Sequence, residues 1–69
     1  MITSEIFGNL IRRRRKALRL SQSDLCEIAG IALHTLSDIE SGKGNPTLER
    51  MIKILEPLGM TLQVEVQKD

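Results

Sequence analysis

Apolar residues recur at helical spacing along most of the chain. Between Ser4 and Arg19 they fall at Ile6, Phe7, Leu10, Ile11, Ala17 and Leu18, steps that lay one stripe along a first helix, with Thr3 or Ser4 to cap its start. Arg14 lies in the middle of this stripe, so its stem must snorkel across the core edge or meet an acid outside the monomer. Ser21-Gln22-Ser23-Asp24 opens a second, two-turn helix, with Ser21 as N-cap and Asp24 near the positive end of the helix dipole. Leu25, Cys26, Ile28 and Ala29 form its apolar side, and Gly30 ends it where a positive φ is needed. A third helix runs from about Leu33 to Glu40, with Leu36 and Ile39 inward, and the glycines and proline of residues 41–46 break it. Thr47 caps a fourth, in which Leu48, Met51, Ile52, Leu55 and Leu58 keep the spacing. Pro57 has no N–H to give the Lys53 carbonyl, so the last turn should bend or fray before Gly59.

After Gly59 the period drops from about 3.6 to 2, because Met60, Leu62, Val64 and Val66 alternate with Thr61, Gln63, Glu65 and Gln67. That pattern predicts a strand. It is the only strand candidate, and a lone strand has an unpaired ladder, so it calls for a partner from another molecule. The simplest closed solution is a twofold homodimer that pairs two tails, the apolar face of the ribbon lying on the helices. The alternative is a tail that orders only on binding another protein. The domain reading is therefore a helical unit over residues 1–59 and a dimerisation strand over residues 60–69.

Composition narrows the class. A chain of 69 residues has room for one domain, and 41% hydrophobic content fits a folded protein. Phe7 is the only aromatic, so the core is small and self-association is a natural expectation. One cysteine, Cys26, cannot make an internal disulfide, and no apolar run approaches a membrane span, which points to a soluble protein of a reducing cytoplasm. The net charge of +1 conceals a split: residues 1–20 hold six cations and one acid, while residues 21–69 hold four cations and eight acids. An anionic ligand responds to the local patch within about 10 Å, which makes residues 1–20 a candidate phosphate-binding face.

Two short helices joined at Gly30 are the skeleton of a helix-turn-helix, whose second helix enters the DNA major groove. The residue detail sharpens this: Ile11-x-x-x-Arg15, Leu20-Ser21-Gln22-x-x-Leu25, Ala29-Gly30-Ile31, Thr35-Leu36-Ser37-x-Ile39-Glu40-x-Gly42-Lys43 and Asn45-Pro46-Thr47-Leu48. Together these closely resemble the XRE-type (Cro and lambda-repressor-like) family over roughly residues 5 to 59. The tail from Leu58 to Val66 is similar to that of the short HipB-type antitoxins, whose terminal strands pair across a dimer. The implied fold class is all-α, a four- to five-helix lambda-repressor-like domain with a C-terminal β-strand paired across a homodimer.

The resemblance assigns roles by position. Gln22, Thr35, Ser41, Lys43 and Arg12 become candidate contacts to the DNA backbone, Gln22 also because it stands among the free N–H groups that open a helix. Leu33, His34, Ser37 and Asp38 occupy positions that face the groove. Leu33 could pack on a thymine methyl, His34 could donate to a base, and Asp38 could only accept, as from cytosine N4. Gln22 has the alternative of a solvated first-turn residue, and exposed Leu33 that of ordinary surface or part of a protein contact. Arg15 is expected to pair with Glu40 as a structural tie from the first helix to the end of the third. Ala32 forgoes the usual cap before the third helix, and Arg19 stands where the family often has glycine, at a modest cost if its φ is positive.

An enzyme is not expected. His34 is the only histidine and Cys26 the only thiol, Cys26 reads as a small core residue, and no metal-ligand cluster, phosphate loop or cofactor motif occurs. The expected function is a dimeric transcriptional repressor on a palindromic DNA operator, located in the cytoplasm and on the nucleoid when bound. The HipB resemblance adds an antitoxin role toward a HipA-type kinase toxin, against the alternative of a free-standing regulator. A membrane role for the basic first helix ranks last, since its apolar face is needed for the core.

Overall fold

The computed structural model describes residues 2–68, so residues 1 and 69, the outer ends of the two expected segments, lie outside it. Four α-helices follow one another: α1 (Ser4–Ala17), α2 (Gln22–Ala29), α3 (Leu33–Glu40) and α4 (Leu48–Leu55), the last continued by a 3₁₀ turn at Glu56–Leu58. The expected caps explain most of these boundaries. The Ile6 N–H donates to Thr3 Oγ1 at 3.2 Å, and the Arg50 N–H to Thr47 Oγ1 at 3.1 Å. At α2 the Asp24 N–H donates to Ser21 Oγ at 2.9 Å while the Ser21 N–H donates to the Asp24 carboxylate at 3.0 Å. This reciprocal pair satisfies two of the donors that a helix start leaves free. α3 begins after Ala32 with no side-chain cap.

α1 stops two residues before the expected Arg19. Arg19 adopts φ +58°, the only non-glycine among the described residues at positive φ, and this left-handed step turns the chain into α2. Pro57 has the expected effect on α4: the helix tightens to 3₁₀ over Glu56–Leu58 and ends at Gly59 with φ +69°. Arg14 snorkels, its Nε donating to the Leu58 carbonyl at 2.9 Å and so satisfying a carbonyl at the end of that turn.

One core holds the helices together. Ile11, Leu25, Leu36, Ile54 and Leu58 are fully buried, joined by Phe7, Cys26, Ile39 and Leu55. The Cys26 thiol is pushed up from its usual pKa, chiefly by burial, as suits a small core residue rather than a nucleophile. α1 packs on α3 so closely at Gly8 that a Cβ there would land on the Ile39 carbonyl oxygen.

The tail departs from expectation. Among the described residues no strand forms, and residues 60–68 carry no regular secondary structure. The physical reason is the one that made the pattern unusual: a ladder needs a second strand, and no other segment of the chain has period two. Met60 packs against the core and its N–H donates to the Leu55 carbonyl at 3.0 Å. Beyond it, Leu62 lies beside α1 and α4, while Val64 and Val66 are 96% and 95% exposed.

Candidate nucleic-acid interface

The turn between α2 and α3 is set by a few backbone atoms. Gly30, at φ +71°, ends α2 in the left-handed region, and the N–H groups of Gly30 and Ile31 both donate to the Cys26 carbonyl, at 2.8 and 3.1 Å. α3 then presents two faces. Leu36 and Ile39 are buried against the core; Leu33, His34, Ser37 and Asp38 are exposed, and Thr35 is half-buried at the margin. The four candidate base-reading residues therefore share the solvent side of one helix. At its end the Ser41 hydroxyl and the Lys43 N–H both donate to the Asp38 carbonyl, at 3.0 and 2.8 Å, which folds the loop against α3.

Beneath this face lies a buried ion pair. Arg15 Nε donates to Glu40 Oε2 at 2.7 Å and Nη2 to Oε1 at 2.8 Å, a bidentate fork, while Nη1 donates to the Leu20 carbonyl at 2.8 Å. The two residues are each 8% exposed, and the pair ties α1 to the end of α3. The Gln22 amide joins it, donating to Glu40 Oε1 at 3.2 Å. Gln22 is thus half-buried, neither a freely solvated first-turn residue nor a freely swinging one. Burial alone pushes the Glu40 carboxyl up, but the hydrogen bonds from Arg15 and Gln22, with the charges of Arg15 and Arg12, outweigh it and hold the group below its ordinary value. The hydrogen bond to Glu40 likewise raises the Arg15 guanidinium above its ordinary value.

Two grooves flank α3. The first, about 320 Å³, runs over the ion pair and is lined by Arg12, Lys16, Gln22, Ser37 and Ser41. It collects three of the candidate backbone contacts with one candidate base reader. The second, about 210 Å³, lies on the other side, between α3, the loop and α4, and is lined by His34, Thr35, Asp38, Lys43 and Arg50 among others. It collects the remaining two backbone candidates with two base readers. Leu33 lines neither groove. Two cations at these grooves, Lys16 and Arg50, were not singled out by the sequence. Lys16 sits in a basic run whose members point in all directions, and Arg50 is an ordinary polar position on α4; only tertiary packing brings them to α3. Among the described residues no group of three His, Cys, Asp or Glu side chains could hold a metal ion, and no helix is long and apolar enough to cross a membrane.

A family model for helix-turn-helix domains matches residues 11–64, which include α2, α3, both grooves and the Arg15–Glu40 pair. The chain belongs to the helix-turn-helix family. This helix-turn-helix protein is 40% identical over 50 residues to an uncharacterized HTH-type transcriptional regulator of Haemophilus influenzae, a match that covers 72% of this chain and 51% of that protein. It is 33% identical over 52 residues to the cryptic phage CTXphi transcriptional repressor RstR of Vibrio cholerae, covering 75% of this chain and 46% of the relative. The chain thus spans about half the length of these two relatives. Among solved structures, a chain in a HipA-HipB-O2-O3 complex superposes with a TM-score of 0.84 at 26% identity, covering 99% of this chain and 96% of that one. The XRE-type resemblance stands, and both of these sequence relatives are named as transcriptional regulators or repressors.

Proposed function

We propose that this protein is a transcriptional repressor that binds duplex DNA as a homodimer, with α3 in the major groove. The observation that carries the reading is the arrangement of α3 itself: four exposed side chains able to meet base edges, with a cation-bearing groove on each side to meet the phosphates. In this reading Arg12, Gln22 and Ser41 contact the backbone on one flank and Thr35 and Lys43 on the other. Leu33, His34, Ser37 and Asp38 read bases, and the operator is palindromic, as a twofold protein requires. The buried pair beneath sets the angle of α3 on α1. Such a protein works in the cytoplasm, on the nucleoid when bound.

The test is a duplex selected from random DNA on the wild-type protein and titrated with variants. Lys43→Ala should weaken binding about equally on the selected and on scrambled duplexes, and reduce the slope of log affinity against log salt by about 0.9 for each phosphate no longer neutralised. Gln22→Ala should weaken it without unfolding, checked by thermal melting. Unchanged affinity in both variants would remove the assigned backbone contacts.

The near-complete overlap with a chain of the HipA-HipB complex favours, as a second reading, an antitoxin that also binds a HipA-type kinase, against a free-standing regulator. Two distinct surfaces would let the double variant Gln22→Ala, Lys43→Ala abolish DNA binding while toxin neutralisation survives. For the dimer, residues 60–69 are the proposed contact: Leu48, Ile52, Leu62, Val64 and Val66 are exposed apolar residues on α4 and the tail, and the missing strand partner would be the tail of a second copy. Truncation after Gly59 is expected to give a monomer at micromolar concentration by sedimentation, with much weaker operator binding. A truncated chain that stays dimeric places the interface elsewhere.

A further inference from the structure

Arg50 stands where no role has been assigned to it. It lies in the first turn of α4, and its backbone N–H, not its side chain, makes the cap contact with Thr47. Two adjoining grooves meet at this residue. One contains His34, Asp38 and Lys43; the other contains Gly30, Ala32 and Lys53; Arg50 and Thr35 are the two residues that line both. Arg50 therefore shares with Thr35 the rim that separates the turn between α2 and α3 from the loop that follows α3.

The charges around it matter. Glu49, its neighbour in sequence, is within 3.7 Å of Lys53, and among the described residues Arg50 forms no ion pair. Asp38, on the exposed face of α3, puts a negative charge in the groove that faces the DNA, where phosphates would repel it. Lys43 and Arg50 line the same groove and offset that charge. An exposed guanidinium that serves no internal pair, beside a hydroxyl positioned for a phosphate and across a groove from a lysine, has the chemistry of a backbone clamp.

We infer that Arg50 is a further DNA-backbone contact, which grips the phosphate flanking α3 from the α4 side and makes an acidic residue tolerable on the reading face. The inference rests on the DNA-binding reading above. It assigns α4 a share in DNA binding in addition to its place in the core.

The experiment compares the full-length wild type with Arg50→Ala, Arg50→Lys and Lys43→Ala on the selected duplex and on a scrambled one, between 50 and 300 mM salt as roughly the range where counterion release dominates. Arg50→Ala should lower the salt slope by about 0.9 per protomer, near 2 for a dimer, with equal weakening on both duplexes. Arg50→Lys should restore most of the slope, since it keeps the charge. Because the Arg50 side chain is exposed and unpaired, melting temperatures of all variants should match the wild type. A wild-type slope in Arg50→Ala, with Lys43→Ala weakened as expected, overturns this inference alone. Wild-type protein that selects no duplex overturns the DNA-binding reading and this inference with it. Loss confined to the selected duplex, with the slope unchanged, also overturns it, because that is the signature of base reading.

Discussion

Glu40→Ala is expected to leave most of the protein unfolded at neutral pH. The substitution strands the Arg15 guanidinium, 8% exposed, with the Leu20 carbonyl as its remaining partner and no counter-charge. Breaking a buried pair from one side costs about 3 to 5 kcal/mol. A domain of this size rarely holds more than roughly that amount in total. Circular dichroism should therefore show the loss of helix, or a melting temperature lowered by well over 10 °C at about 4 to 8 °C per kcal/mol. Arg15→Met combined with Glu40→Leu should recover much of the fold, since apolar replacement of a buried pair is often neutral or better. It should not recover DNA binding, because Gln22 loses the carboxylate that holds its amide. A single Glu40→Ala variant that melts within a few degrees of the wild type would show the pair to be dispensable.

The same pair sets a pH dependence. Glu40 is held below its ordinary carboxylate value in the folded state, so its contribution to stability is complete above about pH 4.3, the unfolded value, and is lost as pH falls through the folded one. Acid should destabilise the wild type more than the Arg15→Met, Glu40→Leu double variant, by urea titration at pH 7 and again at pH 3.

How much of this was visible beforehand depends on whether a feature is local. Ser21 and Asp24 carry their capping box within four residues, Gly30 carries its own backbone freedom, and Pro57 breaks the ladder at a position fixed by its missing N–H; each can be read one turn at a time. Arg14, placed in the apolar stripe by the same periodicity, does snorkel, though its acceptor at Leu58 lies 44 residues away and no local pattern names it. The tail shows the opposite limit. Alternation at Met60, Leu62, Val64 and Val66 describes what a strand would need, yet one chain supplies no partner, and the backbone there stays outside any sheet. For the interface, the periodicity of α3 put Leu33, His34, Ser37 and Asp38 opposite Leu36 and Ile39, whereas the placement of Arg50 on the same groove as Thr35 depends on how α4 packs against α2. The pairing of Arg15 with Glu40, 25 residues apart, came from the family pattern and not from spacing.

Gly8 was the least visible of the important residues, and Gly8→Ala should be the second most damaging change. In an exposed helix the substitution would stabilise by about 0.8 to 1.0 kcal/mol. Gly8 is instead buried, on the side of α1 that also carries Ile11 and Arg15, three and seven residues on. An added Cβ would meet the Ile39 carbonyl oxygen directly and stand 3.0 Å from that of Glu40, so its obstacles are backbone atoms and not the movable end of a side chain. Either α1 must move away from α3, or the last turn of α3 must give. Overpacking of this kind costs about 1 to 3 kcal/mol, and the upper part of that range applies where backbone is the obstacle. The displacement also strains the Arg15–Glu40 fork, which spans the same two helices at 2.7 Å. Gly8→Ala should therefore melt roughly 10 °C or more below the wild type, and the fraction that stays folded should bind the selected duplex more weakly, because α3 is the element displaced. Gly44→Ala is the informative comparison: no atom lies within 4 Å of its added Cβ, and only the left-handed φ of +73° opposes it. Its cost should be about 1 to 2 kcal/mol, without a shift of α3. Equal melting temperatures for Gly8→Ala and the wild type would mean that the helices part freely at this crossing, and that the angle of α3 is fixed by the ion pair alone.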